Sequence, residues 1–176
     1  MSNWTYISRP EILTYETLLF ALAYQVPAWL LGLLLRQLIP HPMIRAFFVL
    51  PGTFIHELLH LMVGLVLNGK PVTISLWPRR AGKGQWILGA AGFANLRWYN
   101  SVFIGLAPLL AIVVAMLIAP APSGWSAQMG DFKHWAIATP ILAMCLPSSV
   151  DLKLTLKSWP LLCTLMALLV WIVFRS

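Results

Sequence analysis

Two histidines and a glutamate lie within one short run, His-Glu-Leu-Leu-His at positions 56–60. Side chains four residues apart on an α-helix project from the same face, so His56 and His60 can reach one metal ion. Zinc accepts imidazole nitrogens, and a catalytic zinc site has three protein ligands plus an open position for water. Glu57 lies about 100° round the helix from His56 and could take a proton from that water. The spacing therefore predicts a Zn²⁺ site with Glu57 as general base.

The three polar residues fall inside an apolar stretch, residues 44–67, that is long enough to cross a bilayer. An ionisable side chain near the bilayer centre costs about 2.5–3.5 kcal/mol on insertion scales, so these groups need compensating partners. A bound metal ion supplies that compensation. The alternative is an accidental match to the pattern, which is common in soluble helices, and the apolar surroundings favour the metal site over it.

Asp151 is the candidate for the third ligand. Besides Glu57 itself, the carboxylates in the apolar stretches are Glu16, at the start of the first stretch, and Asp151, near the end of the fourth. Pro147 precedes it by four residues, and a proline there tends to kink a helix and aim the carboxylate inward. The alternative is that Asp151 ends its helix at the membrane interface, beside Lys153.

The segments that carry these residues are apolar throughout. The chain of 176 residues is 60% hydrophobic and 10% charged, against roughly 45–50% apolar and 25% charged in soluble domains. A membrane helix needs roughly 17–25 apolar residues. The sequence therefore predicts an all-α membrane protein, a single domain over 1–176 built as a bundle of about five transmembrane helices. Their predicted ranges are 15–35, 44–67, 102–119, 135–152 and 160–174.

The net charge of +7 lies in the loops between apolar stretches, where membrane topology explains it better than nucleic-acid binding does. The N-terminal segment and the loops 68–101 and 153–159 hold eight lysines and arginines, and the opposite side holds four. The positive-inside rule then predicts a multi-pass protein of the cell membrane with a cytoplasmic N-terminus. Comparing the depths of His60 and Asp151 along their helices puts the site nearer the cytoplasmic face.

A β-hairpin is predicted in the long loop between the second and third spans. The runs 71–77 and 85–88 favour strands, and the basic stretch 78–84 between them is rich in turn residues. The pattern indicates a small hairpin at about 71–90, on the cytoplasmic side. An ordinary basic loop is the alternative.

Taken together, these features resemble the site-2 protease family of intramembrane zinc metalloproteases. The core of that family has a His-Glu-x-x-His helix, a cytoplasmic-side β-hairpin and a later helix with an aspartate ligand. The resemblance covers about 44–157, with 52–64 its specific part. It implies a minimal protease core, without a PDZ or other accessory domain, that cuts membrane-embedded or membrane-proximal substrates. The catalytic residue would be Glu57, and the zinc ligands would be His56, His60 and Asp151.

The sequence around Asp151 departs from the family run Asn-x-x-Pro-x-x-x-Leu-Asp-Gly. Ala143 stands at the asparagine position, Pro147 comes one residue late and Leu152 replaces the glycine. The family asparagine is thought to act near the substrate or transition state. Ser148 or Ser149 is therefore expected to take its place as a substrate-binding residue, and the sequence does not choose between them.

Two other functions fit the same residues. One is a metal-dependent membrane hydrolase of a small or lipid-like molecule, and the other is a non-catalytic membrane scaffold with a degenerate protease motif. The expected partners are the lipid bilayer and a transmembrane or membrane-associated protein substrate, without nucleic acid. The sequence leaves the oligomeric state open.

Overall fold

The structure, a computed structural model, describes residues 15–75, 79–80, 86–87, 89–121 and 129–175. The helices are α1 Tyr15–Leu38, α2 Pro42–Val66, α3 Ser101–Leu106, α4 Ala111–Ile118, α5 Met129–Leu142, α6 Ser149–Leu156 and α7 Trp159–Arg175. A one-turn 3₁₀ segment, Ala107–Leu110, joins α3 to α4. The strands are β1 Pro71–Ser75, β2 Arg79–Arg80, β3 Trp86–Ile87 and β4 Ala90–Phe93.

Three helical segments are long and apolar enough to cross a membrane: Glu16–Leu38, Pro42–Val66 and Ser101–Ile118. The last of these segments runs from α3 through the 3₁₀ turn into α4. Helices α6 and α7 meet the same test only as a pair, bent by 78°. The described residues thus give three candidate spans, or four if the bent pair counts as one, and a mostly helical fold that suits a membrane protein.

The predicted span 135–152 is not a single helix. Helix α5 ends at Leu142 and α6 begins at Ser149, with Pro147 in the non-helical link between them. A proline lacks the N–H for the helical ladder and disfavours helical geometry at the preceding residue. The sequence predicted a kink here, and the structure has a complete break that starts a new helix at the site of Asp151.

Two short antiparallel pairs of strands lie between α2 and α3, and in sequence the inner pair falls between the two strands of the outer pair. β1 pairs with β4, with Ile74 opposite Ala91, and β2 pairs with β3. The predicted partner of β1 was 85–88, so the antiparallel arrangement is confirmed and the pairing is different; residues 76–78, 81–85 and 88 lie outside the described part. β4 packs on α2, where its Phe93 lies against Gly64. Packing against neighbours decides strand choice more than propensity does.

Small residues allow α5 to approach the helices on either side of it. A Cβ at Gly52 of α2 would overlap the carbonyl oxygen of Pro140, and one at Gly32 of α1 would lie 2.7 Å from the carbonyl oxygen of Thr139. Close backbone approach through small residues is typical of membrane helix packing. Gly52 therefore lets α5 approach α2, whereas Gly64 faces the sheet.

Asn100 fixes α3 relative to the end of α2. Its side chain is fully buried and accepts a hydrogen bond from the Arg97 N–H at 2.8 Å. The amide group donates to the carbonyl oxygens of Leu67 at 3.2 Å and Asn95 at 3.0 Å. Because α3 supplies a backbone contact to His60, this link also holds one wall of the candidate site.

Candidate metal centre

Both histidines of α2 are buried and held by backbone carbonyl groups. His56 Nδ1 lies 2.7 Å from the carbonyl oxygen of Met144, and His60 Nδ1 lies 2.7 Å from that of Ile104. A carbonyl oxygen can only accept, so each Nδ1 carries the hydrogen and donates it. In the neutral ring, Nε2 is then left with its lone pair, which is the arrangement found in metal-bound histidines. The two Nε2 atoms lie 3.2 Å apart.

Asp151 brings its carboxylate to the same point. Its Oδ2 lies 3.4 Å from His56 Nε2, and its Oδ1 lies 3.2 Å from His60 Nε2. Zinc bonds of about 2.0–2.1 Å at tetrahedral angles separate neighbouring ligand atoms by about 3.3 Å. Each imidazole lies at about that distance from the other imidazole and from one of the two carboxylate oxygens, and one ligand atom from each residue can be chosen so that the three lie within 4.8 Å of one another. A proton on one imidazole would make one hydrogen bond to the carboxylate or to the other imidazole. A divalent cation would bind both imidazoles and the carboxylate at once.

The carbonyl groups that orient the histidines are available for local reasons. Pro108 stands four residues after Ile104 and has no N–H to complete the helical bond, so the Ile104 carbonyl accepts from the Ala107 N–H and keeps a lone pair for His60. Met144 follows the end of α5 at Leu142, where carbonyl groups have lost their helical partners. Two breaks in distant helices therefore supply the two acceptors that set the imidazole tautomers.

Asp151 is oriented by the first turn of its own helix. The Ser148 N–H donates to Asp151 Oδ2 at 2.7 Å, and the Asp151 N–H donates to Ser148 Oγ at 3.3 Å, forming a capping box. The sequence suggested Ser148 or Ser149 as a substrate-binding residue. Ser148 is placed to hold the carboxylate, and Ser149 is the exposed first residue of α6. A substrate contact for either serine stays a prediction.

Helix α6 reaches the histidines because it packs closely against α3 at Gly105. A Cβ on Gly105 would lie 2.6 Å from the Asp151 carbonyl oxygen and would also overlap the Thr155 hydroxyl. That hydroxyl donates to the same Asp151 carbonyl at 2.9 Å. The absence of a side chain at Gly105 therefore sets the distance between Asp151 and α2.

We expect Gly105→Ala to weaken zinc binding about 10–100-fold, the size of effect known for groups that orient metal ligands. The added methyl group must push α6 outward and carry the Asp151 carboxylate away from His60. Competition with a zinc chelator of known affinity measures the change. Gly130→Ala is the matched control, since a Cβ at Gly130 meets nothing within 4 Å. Equal affinities of the two variants would contradict this account of the packing.

Glu57 is buried beside the histidines and stands apart from the metal-ligand set. The cluster of potential ligands found in the described part of the chain comprises His56, His60 and Asp151, all buried. The segment before β4 passes close to Glu57, because a Cβ at Gly89 would lie 2.7 Å from Glu57 Oε1. The carboxylate therefore lies between the metal-ligand face of α2 and the sheet. This position suits a group that acts on a water or a substrate.

The sequence singled out the three side chains that meet here, and it missed the backbone carbonyl groups that hold the histidines. The carbonyl groups of Met144 and Ile104 carry no side-chain signal, although Pro108 and Pro147 mark the helix breaks nearby. Thr53, one turn before Glu57 and on the same face of α2, is also buried and was not singled out by the sequence.

Comparison of the chain with protein-family models, curated proteins and solved structures gave no match. The assignment of the centre therefore depends on its residues and their geometry. Two histidines, on a helix long and apolar enough to cross a membrane, meet a buried aspartate of α6 that is far from them in sequence, and the three could hold a metal ion.

Proposed function

We propose that this protein is an intramembrane zinc metalloprotease, similar in its core to the site-2 proteases, that hydrolyses peptide bonds of membrane-embedded or membrane-proximal substrates. The observation that carries the proposal is the meeting of His56 Nε2, His60 Nε2 and the Asp151 carboxylate within 3.2–3.4 Å of one another. Glu57 beside this triangle adds the general base that hydrolysis needs.

In this proposal the chain crosses the cell membrane about five times, with its fourth segment broken before Ser149 and its last segment bent away from α6. Helix α7 supports the membrane assignment. It has 17 residues and no buried side chain, and its exposed surface is largely apolar. A contiguous apolar surface of this kind is unfavourable in water and stable in lipid. The charge distribution supports a cytoplasmic N-terminus and β-hairpin, with the metal centre nearer that side.

Each residue of the site has a separate role in the proposed reaction. His56, His60 and Asp151 would hold the metal, and Ser148 would keep the Asp151 carboxylate turned toward it. Zinc, when bound, supplies Lewis-acid polarisation of a carbonyl group and lowers the pKa of water. The Glu57 carboxylate would accept the proton of the attacking water and deliver it to the nitrogen of the leaving amine. Burial of all four side chains limits access of bulk water to the site.

A substrate helix must unwind before cleavage, because a hydrogen-bonded helix shields its carbonyl groups. We propose that the extended segment pairs with β4, which is bonded to β1 along one edge. The residue just before β4, Gly89, lies against Glu57, so a peptide added to the other edge would run past the general base.

Proline scanning of β4 tests this mode of binding. At positions whose N–H faces away from β1, proline removes a hydrogen bond to substrate and leaves the β1–β4 ladder intact. We expect cleavage to slow at those positions without loss of folded protein, as measured by thermal unfolding. If all of these proline variants cleave substrate at the wild-type rate, the substrate does not bind by strand addition.

Comparison of protein N-termini in cell membranes tests the function itself. Cells with the wild-type protein are expected to contain new N-termini, within or next to apolar segments, that are missing from cells carrying Glu57→Gln. Treatment with 1,10-phenanthroline should remove the same cleavages from isolated membranes, and added Zn²⁺ should restore them. An identical set of membrane proteins in both cell types would contradict a protease and favour hydrolysis of a small or lipid-like substrate.

A further inference from the structure

Thr53 has a buried hydroxyl group without a hydrogen-bond partner in the part of the chain that the structure describes. The residue is 2% exposed, and its Oγ1 is unpaired. A threonine inside a helix ordinarily donates to the carbonyl group three or four residues earlier, which satisfies the hydroxyl at little cost. Leaving such a group buried and unpaired is unfavourable, and such groups call for an explanation. The Thr53 hydroxyl is thus free to bind a ligand.

The position of Thr53 points to the ligand of the metal centre. Thr53 precedes His56 by three residues and Glu57 by four, so all three side chains share one face of α2. Gly89 approaches the same place from the sheet. A Cβ at Gly89 would lie 2.7 Å from Glu57 Oε1 and 2.9 Å from Thr53 Cγ2. The Thr53 side chain, the Glu57 carboxylate and the Gly89 backbone therefore converge one helical turn from the histidines.

The chemistry of the hydroxyl group indicates what it can bind. A threonine hydroxyl donates one hydrogen bond and accepts others, whereas an ionised glutamate only accepts. A peptide backbone offers both an acceptor, the carbonyl oxygen, and a donor, the N–H. An ester-linked lipid offers acceptors alone around its reactive carbonyl. The pair formed by Thr53 and Glu57 is matched to the peptide.

We propose that Thr53 is a substrate-binding residue that hydrogen-bonds the main chain of the peptide next to the scissile bond. The proposal rests on the proposed protease function and deepens it, since it assigns the recognition of an amide backbone to one side chain.

Two substitutions and two ligands test the proposal. Thr53→Val keeps the β-branched shape and removes the hydroxyl, and Thr53→Ser keeps the hydroxyl. The ligands are an apolar tripeptide hydroxamate, which carries a peptide backbone, and acetohydroxamate, which carries only the metal-binding group. Their dissociation constants are measured by calorimetry with the full-length, zinc-loaded protein.

We expect Thr53→Val to weaken binding of the tripeptide hydroxamate about tenfold, the effect of one hydrogen bond in a buried site. Acetohydroxamate should bind the wild type and both variants equally, and Thr53→Ser should keep the wild-type affinity for both ligands. The melting temperature of Thr53→Val should equal or exceed that of the wild type, because the lost hydroxyl makes no hydrogen bond within the described residues.

Unchanged affinity of Thr53→Val for the tripeptide hydroxamate would overturn the proposal, as would a tenfold loss shared by acetohydroxamate. These results leave the metalloprotease assignment in place. If the wild type binds the tripeptide hydroxamate no more tightly than acetohydroxamate, peptide recognition itself fails, and both the proposed substrate and the role of Thr53 are wrong. If the wild type binds neither ligand, the metal centre is wrong and both proposals fall.

Discussion

Replacing Glu57 with glutamine is expected to reduce peptide cleavage by at least about 10²–10⁴-fold, the usual contribution of a general acid–base, while zinc stays bound. Glutamine has the size of glutamate but cannot accept the proton of the attacking water. The metal-ligand cluster of the described residues comprises His56, His60 and Asp151, so loss of the Glu57 charge leaves every donor atom in place. Cleavage rate and zinc content, measured on the same preparation, separate the two roles.

Glu16→Gln is the matched control for this experiment. It makes the same chemical change in the first turn of α1, on a different helix from the histidines, and we expect wild-type cleavage. Loss of zinc from Glu57→Gln would show that Glu57 is a ligand. Full activity of Glu57→Gln would show that another group accepts the proton, and the proposed reaction would be wrong.

Replacing Asp151 with alanine is expected to release zinc at chelator concentrations that the wild type withstands. The carboxylate supplies one of three protein donors, and its removal leaves two neutral imidazoles to hold a divalent cation. Activity is expected to fall with zinc occupancy. Zinc affinity, measured by chelator competition, and cleavage rate at saturating zinc are the two readouts.

Two further variants distinguish coordination from packing. Ser148→Ala removes the hydroxyl that caps the Asp151 N–H but keeps the Ser148 N–H that donates to the carboxylate, so its zinc affinity should fall less than that of Asp151→Ala. Asp131→Asn changes the other buried aspartate, whose Oδ1 accepts from the Tyr24 hydroxyl at 2.8 Å, and should keep the zinc. Wild-type zinc affinity in Asp151→Ala would remove Asp151 from the ligand set and with it the basis of the proposed function.

The bent end of the chain illustrates where sequence reasoning succeeds and where it stops. Apolar length correctly marked 15–35, 44–67 and 102–119 as parts of long helical segments. The same criterion wrongly joined 135–142 and 149–152 into one span. Hydropathy is averaged over a window of residues, so it does not detect the loss of backbone hydrogen bonds around Pro147. That loss creates the N-terminus of α6, whose capping box orients Asp151.

The hairpin shows a second limit of the same kind. Strand propensity located the β1 region and an antiparallel partner within the loop, yet the partner of β1 is the weakly β-prone run Ala90–Phe93. The choice follows from contact with α2, where Phe93 occupies the space left by Gly64. This packing depends on the surfaces of both β4 and α2, whereas strand propensity is judged from the β4 segment alone.

The sequence by itself determined the identity and spacing of the two histidines and of Glu57, because the period of an α-helix is set by local backbone geometry. It also singled out Asp151, since a carboxylate in or near an apolar span needs a partner. Only the tertiary structure decided how these groups meet. The His56 side chain is oriented by a carbonyl group 88 residues away in the chain. The lack of a hydrogen-bond partner for the Thr53 hydroxyl, among the residues that the structure describes, became visible only with its surroundings. Contacts of that range depend on how whole helices pack and where they break, and no local pattern encodes them.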